Sequence, residues 1–267
     1  IAGHIYANFI GAISNFQFPI SKQIQNSELK FPILALVVSG GHTQLILMKK
    51  HMDFKIVSET LDDAAGEAFD KVARILRLGY PGGPAVSKIA DEFQNSAKAR
   101  LFPPPHRRIP QSQALPRPMI NSNNLNFSFS GLKTAVLYTV KNNPKILKSK
   151  NSKAALCAEF QQAVIDVLVF KTLRAAKEYN PKTILLGGGV SANKELRVQL
   201  GKAIKKSLPN TKYHLPDTKY SLDNAAMIAV AGYFQYKLAK NKKKLLNNWK
   251  NLEADSSLSL RAHPKAG

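Results

Sequence analysis

The residues with the clearest chemical use lie in two glycine-rich turns. In Leu185-Leu186-Gly187-Gly188-Gly189-Val190-Ser191-Ala192-Asn193 a short apolar stretch breaks into three glycines, and a helix-forming run starts near Lys194. This spacing reads as strand, turn, helix. Glycine lets backbone N–H groups come close to a ligand, and a helix N-terminus favours an anion there. A second turn, Val37-Val38-Ser39-Gly40-Gly41-His42-Thr43, follows the apolar run Ile33 to Leu36. One such turn is a weak signal. Two, on opposite sides of a long helical insertion, point to a nucleotide held between two structural elements.

Such turns need strands behind them and helices beside them. Residues 31–60 alternate as three strands, Phe31–Val38, Gln44–Lys49 and Phe54–Glu59, with the Gly-Gly-His-Thr turn closing the first two as a hairpin. Ala64–Leu78 has helical periodicity, with Ala68, Val72, Ile75 and Leu76 on one face. Pro81-Gly82-Gly83-Pro84 reads as a rigid turn before a short helix ending near Phe93. Residues 101–126, rich in Pro, Asn, Ser and Arg, read as a long surface loop. Helices are expected at Gly131–Lys141, Ser152–Tyr179, Ala192–Lys206 and Asn224–Leu238, and strands at Thr183–Leu186 and Tyr213–Leu215. The chain opens as a helix already under way over residues 1–13, followed by a polar connector from Pro19 to Lys30. Beyond Lys240 a poorly ordered end is expected. Strands first, then helices, then strand-turn-helix units indicate a layered α/β fold.

The 267 residues are 44% hydrophobic, enough for a real core. No apolar run approaches the roughly 18 residues that span a bilayer. The opening IAGHIYANFIGAI has no basic start and is not read as a signal peptide. The single cysteine, Cys157, excludes an intrachain disulfide framework and fits a reducing cytoplasm. It reads as a small buried helix residue rather than a catalytic thiol. Net charge is +22, from 39 Lys+Arg against 17 Asp+Glu, which favours a polyanion such as RNA. Solvated lysine faces give the same balance, since much of the excess lies in 145–153, 202–206 and 237–250.

Seven strings, GHIYA, LVVSGGHTQL, DDAAGEAFDKVAR, LGYPGGP, FSFSGLKTAV, GGGVSAN and DNAAMIA, follow one another between residues 3 and 231. Together they resemble the TsaD family, bacterial tRNA adenosine threonylcarbamoyltransferases of the actin-like ATPase (ASKHA) superfamily. The resemblance implies a mixed sheet flanked by helices in that architecture. It implies residues 1–30 as a remnant of a first lobe, 31–222 as the second lobe with its helical insertion, 223–240 as a helix returning towards the first, and 241–267 as a basic disordered tail. The first lobe is expected to be largely absent. Such proteins move a threonylcarbamoyl group from threonylcarbamoyl-adenylate to an adenosine beside the tRNA anticodon, in the cytoplasm, with TsaB-type and TsaE-type partners and one divalent metal ion, iron or zinc.

Residue by residue, the resemblance implies the following. The family's metal motif is His-x-x-x-His plus a distant Asp, which sets donors on one helix face with positions left for substrate. His4 matches the second His and Asp223 the Asp; the first His would fall one position before Ile1. Weak metal binding is therefore expected. Val37, Val38, Ser39, Gly40, Gly41 and His42 match a phosphate-facing hairpin. Asp70 matches a carboxylate that binds ribose hydroxyls, Gly83 a backbone that lies against the nucleoside, and Asn193 a substrate contact. Plainer roles stand beside these: Asp70 paired with Arg74, Glu67 paired with Lys71, and Gly83 as a simple turn. Two positions depart from the family: Ser221-Leu222 replaces Cys-Thr before Asp223, and Ser87 stands where many members have Asp.

The implied chemistry needs no nucleophilic side chain, because the mixed anhydride is already activated and AMP leaves. A metal would polarise the carbonyl, glycine turns would hold the AMP, and His42 would contact phosphate or carry a proton. The basic surface would hold tRNA phosphates. Two other readings compete. One is a non-catalytic ATP-binding scaffold. The other is a metalloendopeptidase, against which the chain has no His-Glu-x-x-His string.

Overall fold

The strand β1 (Ile33–Val38) is apolar at every position, and all six residues are buried. That composition suits a central strand covered on both faces. In a computed structural model, which describes residues 1–10, 29–95, 114–247 and 260, β1 is the middle of a five-stranded sheet. Its order is β3 (Asp53–Glu59), β2 (Thr43–Lys50), β1, β4 (Thr183–Gly187), β5 (Lys212–His214). The first three strands form an antiparallel meander, whereas β1–β4 and β4–β5 pair in parallel.

Alternation along β1 divides the core in two. Leu34, Leu36 and Val38 face a layer built by α2 (Ala65–Ile75), α3 (Gly82–Asn95), α4 (Ser130–Asn142), α5 (Lys150–Tyr179) and α6 (Lys194–Ser207). Ile33, Ala35 and Val37 face the opposite layer, made by α1 (Ala2–Ile10) and α7 (Ala225–Leu238). The long helix α5 is capped by Ser149, whose hydroxyl accepts from Ser152 N–H, and stops where Asn180 takes a left-handed conformation. Its Lys171 is fully buried, with Nζ donating to Ser122 Oγ and Asn124 O at 2.7 Å each. Arg174 donates to the carbonyls of Ser122 and Asn123, and Arg117 bridges Glu159 and Asp166. These bonds satisfy the backbone of the segment before α4 against α5.

Several expectations shift. Pro81–Pro84 is not a separate turn: α3 already begins at Gly82. The expected helix from Ala192 is a 3-10 turn over Gly189–Ala192 followed by α6 from Lys194, because Asn193 takes an extended conformation and caps α6. A short helix, α8 (Lys242–Asn247), stands just past Lys240, where poor order was expected. It is one and a half turns of good helix formers, Lys and Leu. Residues 11–13 of the opening helix, 19–28 of the connector, 101–113 of the long loop, and 248–267 of the tail except 260 lie outside the described residues.

Candidate functional site

The parallel pairing of β1 with β4 brings the two glycine turns side by side. Val37 pairs with Gly187, far along the sequence. Both strands end at the same edge, and in sheets of this kind ligands bind beyond the carboxyl ends of parallel strands.

Close backbone packing fixes that edge, and only glycine permits it. A Cβ on Gly188, whose φ is +86°, would lie 2.3 Å from the Val38 carbonyl oxygen. One on Gly187 would lie 2.8 Å from the His4 carbonyl oxygen. One on Gly66 would lie 2.5 Å from Ser39 O, so α2 starts directly against the first turn. By contrast, Gly40 and Gly41 have nothing within 4 Å of a built Cβ; they face open space. The first turn is closed by Ser39 N–H donating to His42 O at 2.8 Å and His42 N–H donating to Ser39 Oγ at 3.1 Å. The Ser39 hydroxyl hydrogen stays available to a ligand. Val37 and Val38 are wholly buried, so they position the turn and offer no side chain to it.

Asp70 lies one turn beyond Gly66 on α2. Its Oδ1 accepts from Gly82 N–H at 2.8 Å, at the first residue of α3. A carboxylate there satisfies an orphan donor and complements the helix dipole. Gly83 follows it with only Phe69 Cβ in reach, at 4.0 Å. Asn193 is heavily engaged. Its Oδ1 accepts from Leu196 N–H at 2.8 Å, and its amide donates to Ser87 Oγ at 2.9 Å and Gln161 Oε1 at 2.8 Å. Ser87 is therefore a partner of Asn193, tying α3, α5 and α6 together beneath the second turn.

His4 and Asp223 meet on the other side of that turn. His4 Nε2 lies 3.3 Å from Asp223 Oδ1; the His4 side chain is 12% exposed and that of Asp223 is 89% exposed. His4 Nδ1 is buried without a hydrogen-bond partner. Burial chiefly lowers the His4 pKa, with nearby His42 adding to the effect and Asp223 opposing it. Burial likewise lowers His42. Both imidazoles are neutral near pH 7, the form that binds metals or takes up a proton. Leu222, 69% exposed, sits between Asp223 and the glycine turn, 3.3 Å from a Cβ built on Gly189. Arg197 donates to the carbonyls of Ser191 and Pro216 and to Ser221 Oγ, holding the Asp223 approach against the second turn.

One imidazole and one carboxylate make half of a zinc or iron site, which needs at least three protein donors. Among the described residues no group of three or more His, Cys, Asp or Glu could hold a metal ion. His4 and Asp223 are the two candidate donors that meet here.

The sequence reading missed a second acidic cluster. Asp62 accepts from the hydroxyls of Ser128 and Ser130, each at 2.6 Å, and from the N–H groups of Phe129 and Ser130 at 2.8 and 3.2 Å. It thereby caps α4. Burial pushes its pKa up, but these hydrogen bonds outweigh that and lower it. Asp63 pairs with Lys71 at 2.7 Å and Lys133 at 3.2 Å, and Lys71 also reaches Glu67 at 2.9 Å. No local signal marked this role: Asp62-Asp63 precede α2, whose N-cap Ala64 receives no side-chain cap bond, whereas Asp62 caps a helix distant in sequence. Cys157 is buried, and burial pushes its thiol up to about 12, which makes it inert.

The profile described as TsaD, tRNA N6-adenosine threonylcarbamoyltransferase, matches residues 11–230. A protein of that name from Thermosipho africanus is 44% identical over 237 residues, 89% of this chain and 62% of its own. One from Geobacillus kaustophilus is 44% identical over 247 residues, 92% of this chain and 63% of its own. A third, from Listeria monocytogenes, is 43% identical over 240 residues, covering 90% and 60%. The chain thus spans about three fifths of the length of these relatives.

Proposed function

Since this chain belongs to the TsaD family, we propose that it carries the nucleotide-holding part of a tRNA threonylcarbamoyl transferase. The reaction joins a threonylcarbamoyl group to the exocyclic amine of the adenosine next to the anticodon, in tRNAs reading codons that begin with adenine. One observation carries this reading: two glycine turns distant in sequence meet at one sheet edge, beside the His4–Asp223 pair.

In this reading the Ser39–His42 turn holds the phosphate of threonylcarbamoyl-adenylate. Gly40 and Gly41 offer N–H groups with no side chain in the way, and Ser39 adds a hydroxyl. Asp70 keeps Oδ2 for a ribose hydroxyl while Oδ1 caps α3. Gly83 leaves room for the nucleoside, and Asn193 fixes the second turn. The amine nitrogen attacks the carbamoyl carbon. The new N–C bond forms as the C–O bond to phosphate breaks, AMP takes that electron pair, and the amine loses one proton. His42, neutral and on the phosphate-holding turn, donates to the leaving phosphate or takes that proton, and a pH profile of the His42→Asn variant separates the two. His4 and Asp223 would supply two donors to a divalent iron or zinc ion, whose Lewis acidity would polarise the carbonyl. TsaB-type and TsaE-type proteins are the proposed partners, and the cytoplasm the proposed compartment. No described helix is long and apolar enough to cross a membrane.

Titration with a non-hydrolysable threonylcarbamoyl-adenylate analogue tests the site. Asp70→Ala should weaken binding by about 1.5–3 kcal/mol, the cost of removing a charged hydrogen-bond acceptor, with the unfolding midpoint followed in parallel to separate loss of the α3 cap. An unchanged dissociation constant removes Asp70 from the ribose. Mass spectrometry of tRNA nucleosides tests the reaction, with threonine, bicarbonate, ATP, the adenylate-forming enzyme and the partner proteins present. The competing reading is a nucleotide-binding scaffold without transfer activity. Analogue binding with no modified nucleoside would support that reading.

A further inference from the structure

One basic segment of the fold carries no acid. From Asn224 to Asn247 the chain has five lysines, Lys237, Lys240, Lys242, Lys243 and Lys244, and no Asp or Glu. The segment is α7 running into α8. Lysines on a surface helix are usually matched by carboxylates three or four positions away. Here no such carboxylate exists. All five lysines are exposed.

Tyrosines are interleaved with them. Lys237 Nζ lies 5.7 Å from the centroid of the Tyr233 ring, and Lys242 Nζ lies 5.1 Å from that of Tyr236. Tyr236 is 40% exposed. Each ring steadies an ammonium group without neutralising it. Such a surface carries five positive charges and accessible aromatic faces, which suits a nucleic-acid backbone with unstacked bases beside it.

Its place on the helix matters. Asp223 and the N-cap Asn224 start α7 at the candidate site, and the lysines begin at its other end. Fourteen residues of α-helix span about 20 Å. An RNA whose target base reaches the Asp223 end would therefore pass its backbone over the lysine end.

We propose that the Lys237–Lys244 surface of α7 and α8 is the docking track for the phosphate backbone of the RNA substrate. This rests on tRNA being the substrate. A second lysine-rich stretch, Lys141 to Lys153, belongs to the helical layer on the opposite face of the sheet and serves as a charge-matched control.

Fluorescence anisotropy with a transcribed tRNA tests it, across about 50–200 mM salt, using the chain and two five-fold variants. One changes Lys237, Lys240, Lys242, Lys243 and Lys244 to Gln; the other changes Lys141, Lys145, Lys148, Lys150 and Lys153 to Gln. Circular dichroism confirms that each variant is folded. The first variant should bind at least tenfold more weakly at about 100 mM salt, with a salt slope shallower by about 3 to 4. The control should change less than threefold. Equal losses in both variants would reduce the effect to net charge and overturn the proposal. So would unchanged RNA affinity in the first variant combined with lysine-dependent binding to phosphatidylserine vesicles. The proposal and the transferase reading fail separately. Normal tRNA modification with RNA affinity independent of these lysines sinks the track alone. Lysine-dependent RNA affinity without any modified nucleoside keeps the track and sinks the transfer activity.

Discussion

Gly188 shows how one backbone position constrains the whole site. It has a left-handed φ of +86° and leaves no room for a Cβ against Val38 O, at 2.3 Å. Gly188→Ala adds backbone strain and forces β1 and β4 apart where the turns meet. Such strain costs about 1–3 kcal/mol, before the steric conflict is added. We expect a loss of at least about 3 kcal/mol in urea unfolding, together with loss of analogue binding. A variant of near wild-type stability would show that the sheet edge yields and that the turn geometry is not fixed by this packing. Gly40→Ala is the contrasting case, because nothing lies within 4 Å of its Cβ. It should leave stability within about 0.5 kcal/mol, so that any loss of analogue binding reports on the ligand.

Between elements, the β2–β3 hairpin is clamped to α1 and α7 by one imidazole. His51, at the tip of that hairpin, stacks on Phe234 with centroids 3.8 Å apart and meets Phe31 edge-on at 4.9 Å. Tyr6 Oη lies 3.3 Å from His51 Nδ1 and accepts from Met52 N–H at 3.2 Å. Burial first, and Lys237 second, lower the His51 pKa from 6.5 to about 4. The neutral form therefore belongs to the folded state. Above the unfolded value of 6.5 the two states bind protons equally and the clamp is intact. As pH falls from 6.5 to about 4 the unfolded chain takes up a proton that the folded chain resists, so stability declines over that window and levels off below it. His4 and His42, also lowered by burial, add to the decline with the same sign. His51→Phe keeps the stacking and removes the proton, so its unfolding midpoint should fall less between pH 7 and pH 4.5. Identical slopes for the variant and the wild type would assign the acid sensitivity to other groups.

For the molecule as a whole, His4 and Asp223 govern what metal the chain can hold. His4 and Asp223 are 3.3 Å apart, and the described residues contain no three-donor group. Two protein ligands leave most of the coordination sphere to water. After dialysis against low-micromolar zinc or ferrous iron, the chain should retain well under one ion, and Asp223→Ala less still. Stoichiometric metal in both proteins would remove Asp223 from the site. The proposed docking track belongs to the same scale, since it lies at the lysine end of α7 while Asp223 stands at the other.

Local signals in the sequence determined the elements. The alternation of residues 31–60, the glycine turns and the apolar faces of the helices were legible because strand and helix periods are local properties. The start of α3 at Gly82 was not, since the Asp70 carboxylate that caps it lies twelve positions away. The family motifs marked His4, Asp70, Asn193 and Asp223 one by one, but their geometry was not in the sequence. That Val37 meets Gly187, that His4 faces Asp223, and that Asn193 spends its amide on Ser87 and Gln161 are facts of tertiary structure. They depend on strand order, and strand order is set by which faces of a sheet and its helices can bury apolar surface together. No single segment contains that information, because the hydrophobic effect acts on the assembled surface rather than on the chain that supplies it.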